Sequence, residues 1–178
     1  MATLIALIAL GGATASRAAD ASNQCLARGD AAALVQAIAP DLLQAAARKC
    51  SATLPPDALL TRQSGALMSK YRRAAAGAWP GARRALQQVA GPEIGGMLEG
   101  PLAQSIVGPL LAPMFTQNVS AADCADLNTI VMMIEPLPAE NLGRLFVAVY
   151  DMADRNRAAD ATDTGLVMPF HLCHPKQG

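Results

Sequence analysis

The chain contains four cysteines, Cys25, Cys50, Cys124 and Cys173, and their bonding limits what it can fold into. In an exported chain, an even number of cysteines predicts disulfides, and four cysteines allow three pairings. We expect Cys25 to pair with Cys50 and Cys124 with Cys173, because these bonds close the shorter loops. In a reducing compartment the same cysteines would be small buried apolar residues.

The N-terminal residues have the form of a secretory signal peptide. Residues 4–10 are a continuous apolar run, which is followed by Gly11 and Gly12. The run is shorter than the roughly 20 residues that span a bilayer. Small residues then allow cleavage after Ala15 or Ala18. We expect residues 1–18 to be a signal peptide and the protein to be periplasmic or secreted. No Lys or Arg precedes the run, so an ordinary N-terminal apolar helix is the alternative.

The apolar residues of the chain are those that helices favour. Hydrophobic residues make up 52% of the sequence and aromatic residues only 3%. Alanine and leucine favour helices, whereas sheets favour β-branched and aromatic side chains. The length of 178 residues suits one domain with a sizeable core. We therefore expect an all-α, single-domain helical bundle of short helices at 19–159, cross-linked by two disulfides.

Prolines and glycines divide this domain into its predicted helices. Pro40 and the Gly-Ala-Trp-Pro-Gly segment at 77–81 should each break a helix, because proline lacks an N–H and clashes with the preceding turn. The sequence therefore predicts a helix on each side of Pro40, the second ending at Cys50. A further helix should run from Asp57 to Ala75, and a short one should occupy 82–90.

Two helices are predicted near the C-terminus. Residues 120–123 resemble a capping box, which favours a helix over 124–134. Pro138 suits the first position of a second helix over residues 138–158. We expect these helices to form a hairpin, and residues 160–178 to be an irregular tail tied back through Cys173. The second helix has a predicted buried stripe of Leu142, Leu145, Phe146, Val149 and Met152.

The segment at 69–84 is basic. Six basic residues and no acidic ones lie between Ala58 and Pro92, with two aromatic residues among them. Cationic and aromatic side chains together can bind an anionic surface or an acidic partner. Contacts with acidic residues of the same chain are the alternative, because residues 93–163 hold ten acidic and three basic residues. The candidate binding residues are Lys70, Tyr71, Arg72, Arg73, Trp79, Arg83 and Arg84.

Residues 100–122 contain no charged residue. The length could span a membrane, but Pro101, Pro109 and Pro113 and a polar end argue against an integral span. We expect a buried central helical segment broken by proline. The alternative is contact of this segment with a membrane surface or a partner.

Catalytic and metal-binding patterns are weak in this sequence. Carboxylate pairs flank the Pro-Leu-Pro segment and the glycine-rich loop at 91–100, with no spacing typical of a mechanism. His171, Cys173 and His174 could bind a metal, but a structural zinc needs four ligands and export favours a disulfide at Cys173. We expect no catalytic residue, no metal and no cofactor. The formal net charge of zero makes nucleic-acid binding an unexpected role.

Several stretches resemble a known class of proteins. The motif Cys-Leu-Ala-Arg at 25–28, a second cysteine about 25 residues later, and Gly-Ala-Leu-Met-Ser-Lys-Tyr-Arg-Arg at 65–73 are similar to segments of small exported helical proteins of bacteria. The later Asp-Cys and Pro-Leu-Pro-Ala-Glu-Asn-Leu motifs add to the resemblance. The proteins of this class have no assigned function, so the resemblance implies export and a helical fold only.

The sequence favours a non-enzymatic binding or structural protein that contacts an unknown protein or an anionic surface through 69–84. The first alternative is a protein that associates with a membrane surface through residues 100–115 and this basic segment. The second alternative is a hydrolase-like enzyme, which would require carboxylates or histidines that converge in a cleft.

Overall fold

The computed structural model describes residues 25–62, 65–100, 102–159 and 171–173. The helices of these residues are α1 Arg28–Cys50, α2 Ala66–Ala90, α3 Gly95–Glu99, α4 Ala103–Thr116, α5 Cys124–Ile134 and α6 Ala139–Ala159. A 3-10 turn at Pro92–Ile94 precedes α3, and β1 Cys25–Leu26 pairs in parallel with β2 His171–Leu172. The predicted all-α fold is confirmed. The predicted signal peptide lies outside the described residues, as do residues 160–170 and 174–178 of the predicted tail.

Helix α1 lies at the centre and packs against α2, α4 and α6. Helix α2 runs antiparallel to α1, as shown by the ion pair between Arg84 near the end of α2 and Asp30 near the start of α1. Helix α6 is also antiparallel to α1, since Gly143 near its start lies on Ala32 and Asp151 further along pairs with Arg28. The bundle therefore surrounds one long, alanine-rich helix.

Helix α4 runs parallel to α1 and lies very close to it. Gly108 of α4 packs on the carboxylate of Asp41, and a Cβ at Gly108 would lie 1.9 Å from Oδ2 of that residue. Gln117, the residue that follows α4, accepts a 3.3 Å hydrogen bond from Lys49 Nζ near the end of α1. Small residues on the inner side of α4 allow this approach, with Ala103, Gly108 and Ala112 buried there.

The predicted helix breaks at proline are wrong. Helix α1 continues through Pro40, and α2 continues through Pro80 over 25 residues. An interior proline costs a helix about 3 kcal/mol. Burial on both sides of each proline offsets this cost: Ala37 and Ala45 are buried around Pro40, and residues before and after Pro80 face the core. Tertiary packing thus outweighs the local preference for a break.

Residues 57–62, where the sequence predicts the start of a helix, continue the turns of residues 51–56 instead. The backbone N–H of Leu60 donates a 3.0 Å hydrogen bond to Asn128 Oδ1 of α5, and Leu60 is buried. Because the α5 side chain satisfies this donor, the segment does not need a helical bond there. Helix α5 therefore covers this loop.

Two disulfides join parts of the chain that are distant in sequence. Cys25 is bonded to Cys173 and Cys50 to Cys124, so the predicted pairing of Cys25 with Cys50 and of Cys124 with Cys173 is wrong. Each bond lies at one of two core clusters. Cys50 and Cys124 belong to a cluster with Leu60, Leu67, Tyr71 and Val131. The Cys25–Cys173 bond adjoins the second cluster, formed by Leu26, Ala31, Ala85, Val147, Tyr150 and Leu172.

The C-terminal helices form where the sequence predicts them but pack differently. Helix α6 packs along α1 rather than back along α5, so the predicted hairpin packing is wrong. The predicted buried stripe is wrong at Leu145, Val149 and Met152, which are exposed, while Leu142 and Phe146 are half-buried. Gly143 faces α1 at very close range, since a Cβ at this position would lie only 2.2 Å from the carbonyl oxygen of Ala32. Close approach through glycine thus selects which face of α6 is buried.

Candidate functional site

The candidate binding residues at 69–84 all lie on α2, but the helix turns them toward different neighbours. Tyr71 is 1% exposed and belongs to the core cluster around the Cys50–Cys124 bond. Burial raises the pKa of the Tyr71 phenol, and the nearby charge of Glu135 raises it further. Trp79 is half-buried. The structure therefore places Tyr71 inside the protein rather than on a contact surface.

Lys70 forms hydrogen bonds with the backbone at the C-terminal end of α5. Its Nζ donates hydrogen bonds to the backbone carbonyls of Glu135 and Leu137, the second at 2.9 Å. These carbonyls lie just beyond the last turn of α5, where the backbone lacks intrahelical donors and the helix dipole favours a cation. The same ammonium group lies 5.2 Å from the centre of the Tyr71 ring. Lys70 thus has a structural role within the fold.

Arg84 is paired within the protein as well. Its Nη2 lies 2.7 Å from Asp30 Oδ1, and its Nε donates to both oxygens of the same carboxylate. Arg83, its neighbour, is half-buried. The pair joins α2 to α1, and its acidic partner lies in α1 rather than in the acidic half of the chain.

Arg72 and Arg73 are exposed and line two different cavities. Arg73 lines a cavity of about 610 Å³ between α2 and the start of α6, together with Gln36, Lys70 and Glu140. Arg72 lines a cavity of about 450 Å³ that also contacts Gln104 of α4. The basic segment is therefore divided between two places, and one of them adjoins α4.

Helix α4 has its large apolar side chains on the outside. Leu102, Ile106, Leu110 and Met114 recur every fourth residue and are 58–69% exposed. These four side chains, called the α4 face below, lie opposite the small buried residues of the helix. The prediction that this segment is buried holds only for its inner side. The prolines at 109 and 113 lie within α4 and do not break it.

Cationic side chains adjoin both ends of the α4 face. Arg72 shares a cavity with Gln104 and Ser105 in the first turn of α4. Lys49 donates to the carbonyl of Gln117 directly after the last turn. Asp41 lies on the inner side, and burial raises the pKa of its carboxyl, while the charges of Arg48 and Arg72 oppose that rise. Helix α4 thus combines an uncharged apolar outer side with cations beside both of its ends.

The other outer helices also expose apolar side chains. Helix α5 exposes Ile130, Met132 and Met133, and α6 exposes Leu145, Val149 and Met152. Their surroundings differ from those of α4, because α5 and α6 carry acidic residues such as Asp126 and Glu140. Apolar surface alone therefore does not distinguish α4; its lack of charge and its cationic ends do.

The residues considered for catalysis or metal binding lie as follows. Cys173 is bonded to Cys25, which confirms its use in a disulfide, and His171 lies exposed on β2. Glu93, Glu99, Glu135 and Glu140 are exposed. Within the described ranges, no group of three or more His, Cys, Asp and Glu residues could hold a metal ion. In the same part of the chain, each helix is too short or too polar to cross a membrane.

The sequence separates the two sides of α4 but does not show which side faces the core. Small residues at 103, 108 and 112 alternate with large apolar residues at 102, 106, 110 and 114. Larger apolar residues usually mark the buried side of a helix, so this pattern suggests the opposite orientation.

Comparison with family models, curated proteins and solved structures found no match to this chain.

Proposed function

We propose that this protein is an exported, non-enzymatic binding protein whose contact surface is the α4 face. The observation that carries the proposal is the orientation of α4, with small side chains inward and large apolar side chains outward. Burial of leucine, isoleucine or methionine stabilises a structure by about 1.5–3 kcal/mol per side chain. The fold gains little of that energy from these residues, whereas a bound partner would gain it.

The packing of α4 supports this proposal. The close contact between Gly108 and Asp41 fixes which side of α4 faces α1. The four side chains of the α4 face therefore cannot turn inward while this contact persists. Contiguous exposed apolar surface of this kind is typical of interaction sites in folded proteins.

The proposed export to a periplasm or beyond rests on the disulfides. Two disulfides join four cysteines in the described residues, and such bonds form and persist in non-reducing compartments. Of the basic segment, Arg72 is the residue that we assign to the contact surface, because it adjoins α4.

Site-specific photo-cross-linking in the living source cells tests the contact. A photoreactive amino acid at position 106 or 110 should give cross-linked products, because both side chains point away from the fold. The control is position 69, an exposed serine at the start of α2. Cross-linking at 106 and 110 no stronger than at 69 would show that the α4 face makes no contact.

A further inference from the structure

We infer that the partner of the α4 face is a phospholipid surface that contains anionic lipids. This inference rests on the proposed function, since it names what the same face binds. Helix α4 would lie in the plane of the membrane interface, with Leu102, Ile106, Leu110 and Met114 inserted among the acyl chains. Its 14 residues span about 21 Å along the axis, which suits a helix that lies on the surface.

The chemistry of the α4 face favours lipid over protein. Its four side chains are apolar, and its exposed neighbours include Pro109 and Pro113, which have no backbone N–H. A typical protein interface contains about one hydrogen bond per 100–200 Å² of buried area and has a polar rim. A membrane interface requires no such bonds from the inserted side chains. The absence of charge from 100 to 122 also means that insertion buries no ionised group.

The charges around α4 match an anionic surface. Arg72 lies beside its first turn, in a cavity that Asp41 also lines. Lys49 lies beside its last turn, and Arg48 is exposed next to Lys49. Each basic residue near an anionic bilayer contributes about 1 kcal/mol of attraction, or roughly fivefold in binding. Cations at the two ends of the inserted helix could contact lipid headgroups while the apolar side chains lie deeper.

Three acidic residues of the described part of the chain lie near α4 in sequence or in space. Asp41 packs beneath Gly108, on the side that faces α1. Glu99 precedes α4 in sequence, and Asp123 follows it and is hydrogen-bonded to Ser120. Of these three described acidic residues, Asp41 lies beneath the helix and the other two lie beyond its ends in sequence.

Vesicle flotation of the full oxidised protein tests this inference. Vesicles of phosphatidylcholine with about 30 mol% phosphatidylglycerol should carry the protein upward, and pure phosphatidylcholine vesicles should carry much less. Ile106→Ser combined with Leu110→Ser should weaken binding at least about tenfold. Arg72→Gln should weaken it roughly fivefold, and salt at about 0.5 M should weaken wild-type binding.

The matched control is Leu145→Ser combined with Val149→Ser on α6. These side chains are 48% and 51% exposed, so the exchange removes similar apolar surface from another helix. The control variant should float like the wild type, and far-UV circular dichroism should show that all variants keep their helices. Equal loss from the α4 and α6 variants, or equal binding to both kinds of vesicle, would overturn the inference.

Cross-linking separates failure of this inference from failure of the proposed function. Products from position 110 that contain only protein, or only a second copy of this chain, would leave the α4 face as a contact surface and refute the lipid partner. A lack of products at both 106 and 110 would refute the contact surface itself. Lipid adducts at 110 together with anionic-vesicle binding would support both.

Discussion

Gly143 sets the distance between α6 and α1. A Cβ at this position would lie 2.2 Å from the carbonyl oxygen of Ala32 and 2.9 Å from its carbonyl carbon, both backbone atoms. Gly143→Ala should therefore move α6 away from α1 and lower the free energy of unfolding by about 1–3 kcal/mol. Urea unfolding followed by circular dichroism measures this loss.

Gly77 provides the matched control. It lies in the interior of α2, and a Cβ there would meet nothing within 4 Å. Gly77→Ala should raise the free energy of unfolding by about 0.5–1 kcal/mol, because alanine favours the helix and restricts the unfolded chain. A loss of stability in both glycine variants would contradict the proposed close approach at Gly143.

Asp41 should make stability depend on pH. Burial raises the pKa of its carboxyl in the folded protein, and Arg48 and Arg72 oppose this rise. Between the ordinary pKa and the raised one, the folded state binds more protons than the unfolded state, so stability falls as pH rises. Asp41→Asn removes this effect, so the stability of the variant relative to wild type should increase from about pH 3 to about pH 7. Urea unfolding of both proteins at pH values of about 3 and about 7 measures this change. A difference in the free energy of unfolding that is the same at both pH values would contradict the burial of Asp41.

Asp151 should give folding stability a pH dependence of the opposite sign to that of Asp41. The hydrogen bond from Arg28 is the main cause that lowers the pKa of this carboxyl, although burial opposes it. The stabilisation of the fold by the Arg28–Asp151 ion pair should be present above the ordinary carboxyl pKa. It should be lost as the pH falls through the lowered pKa of Asp151. Asp151→Asn should thus cost stability at neutral pH and progressively less in acid, as measured by the urea midpoint. An Asp151→Asn penalty that persists undiminished in acid would exclude this ion pair as its source.

At the scale of elements, Lys70 joins α2 to the end of α5. Lys70→Met keeps much of the side-chain volume but removes both hydrogen bonds to the carbonyls of Glu135 and Leu137. We expect a loss of about 1 kcal/mol in the free energy of unfolding. Arg73→Met, an exposed cation on the same helix, should change it by less than about 0.5 kcal/mol. Equal effects of the two substitutions would argue against a capping role for Lys70.

The sequence predicted the elements better than their boundaries and packing. Alanine-rich composition and helical spacing were sufficient for the all-α fold, and α5 begins at the predicted capping segment. Pro40 and Pro80 misled the prediction, because a local penalty at proline says nothing about the core that forms on either side of it. The buried face of α6 was also missed, since hydrophobicity favoured Leu145 while the backbone contact at Gly143 decided the orientation.

The candidate site was predicted only in part. The uncharged stretch at 100–122 and the basic segment at 69–84 are visible in the sequence. Which cations have partners within the fold depends on contacts between distant residues, such as Asp30 with Arg84 and Glu135 with Lys70. Helical spacing alone could not show that Tyr71 lies in the core while Arg72 lines a cavity that α4 also lines.

At the scale of the whole molecule, the disulfide pairing is open to direct test. Digestion without reductant should yield one linked peptide pair containing Cys25 and Cys173 and another containing Cys50 and Cys124. Replacing Cys50 and Cys124 together by alanine should lower the free energy of unfolding by about 2–5 kcal/mol, as expected for a long closed loop. Recovery of a Cys25–Cys50 peptide pair would instead support the sequence-based pairing and contradict the structure.

The Cys25–Cys173 bond closes 149 residues into a single covalent ring, and the Cys50–Cys124 bond lies inside it. A protease that cuts the backbone once between these outer cysteines opens the ring but releases no fragment. The loop at 51–62 could be nicked, for example, and both products would remain attached through two disulfides. In a non-reducing compartment, where such bonds persist, a single cleavage in this loop would leave both products covalently joined.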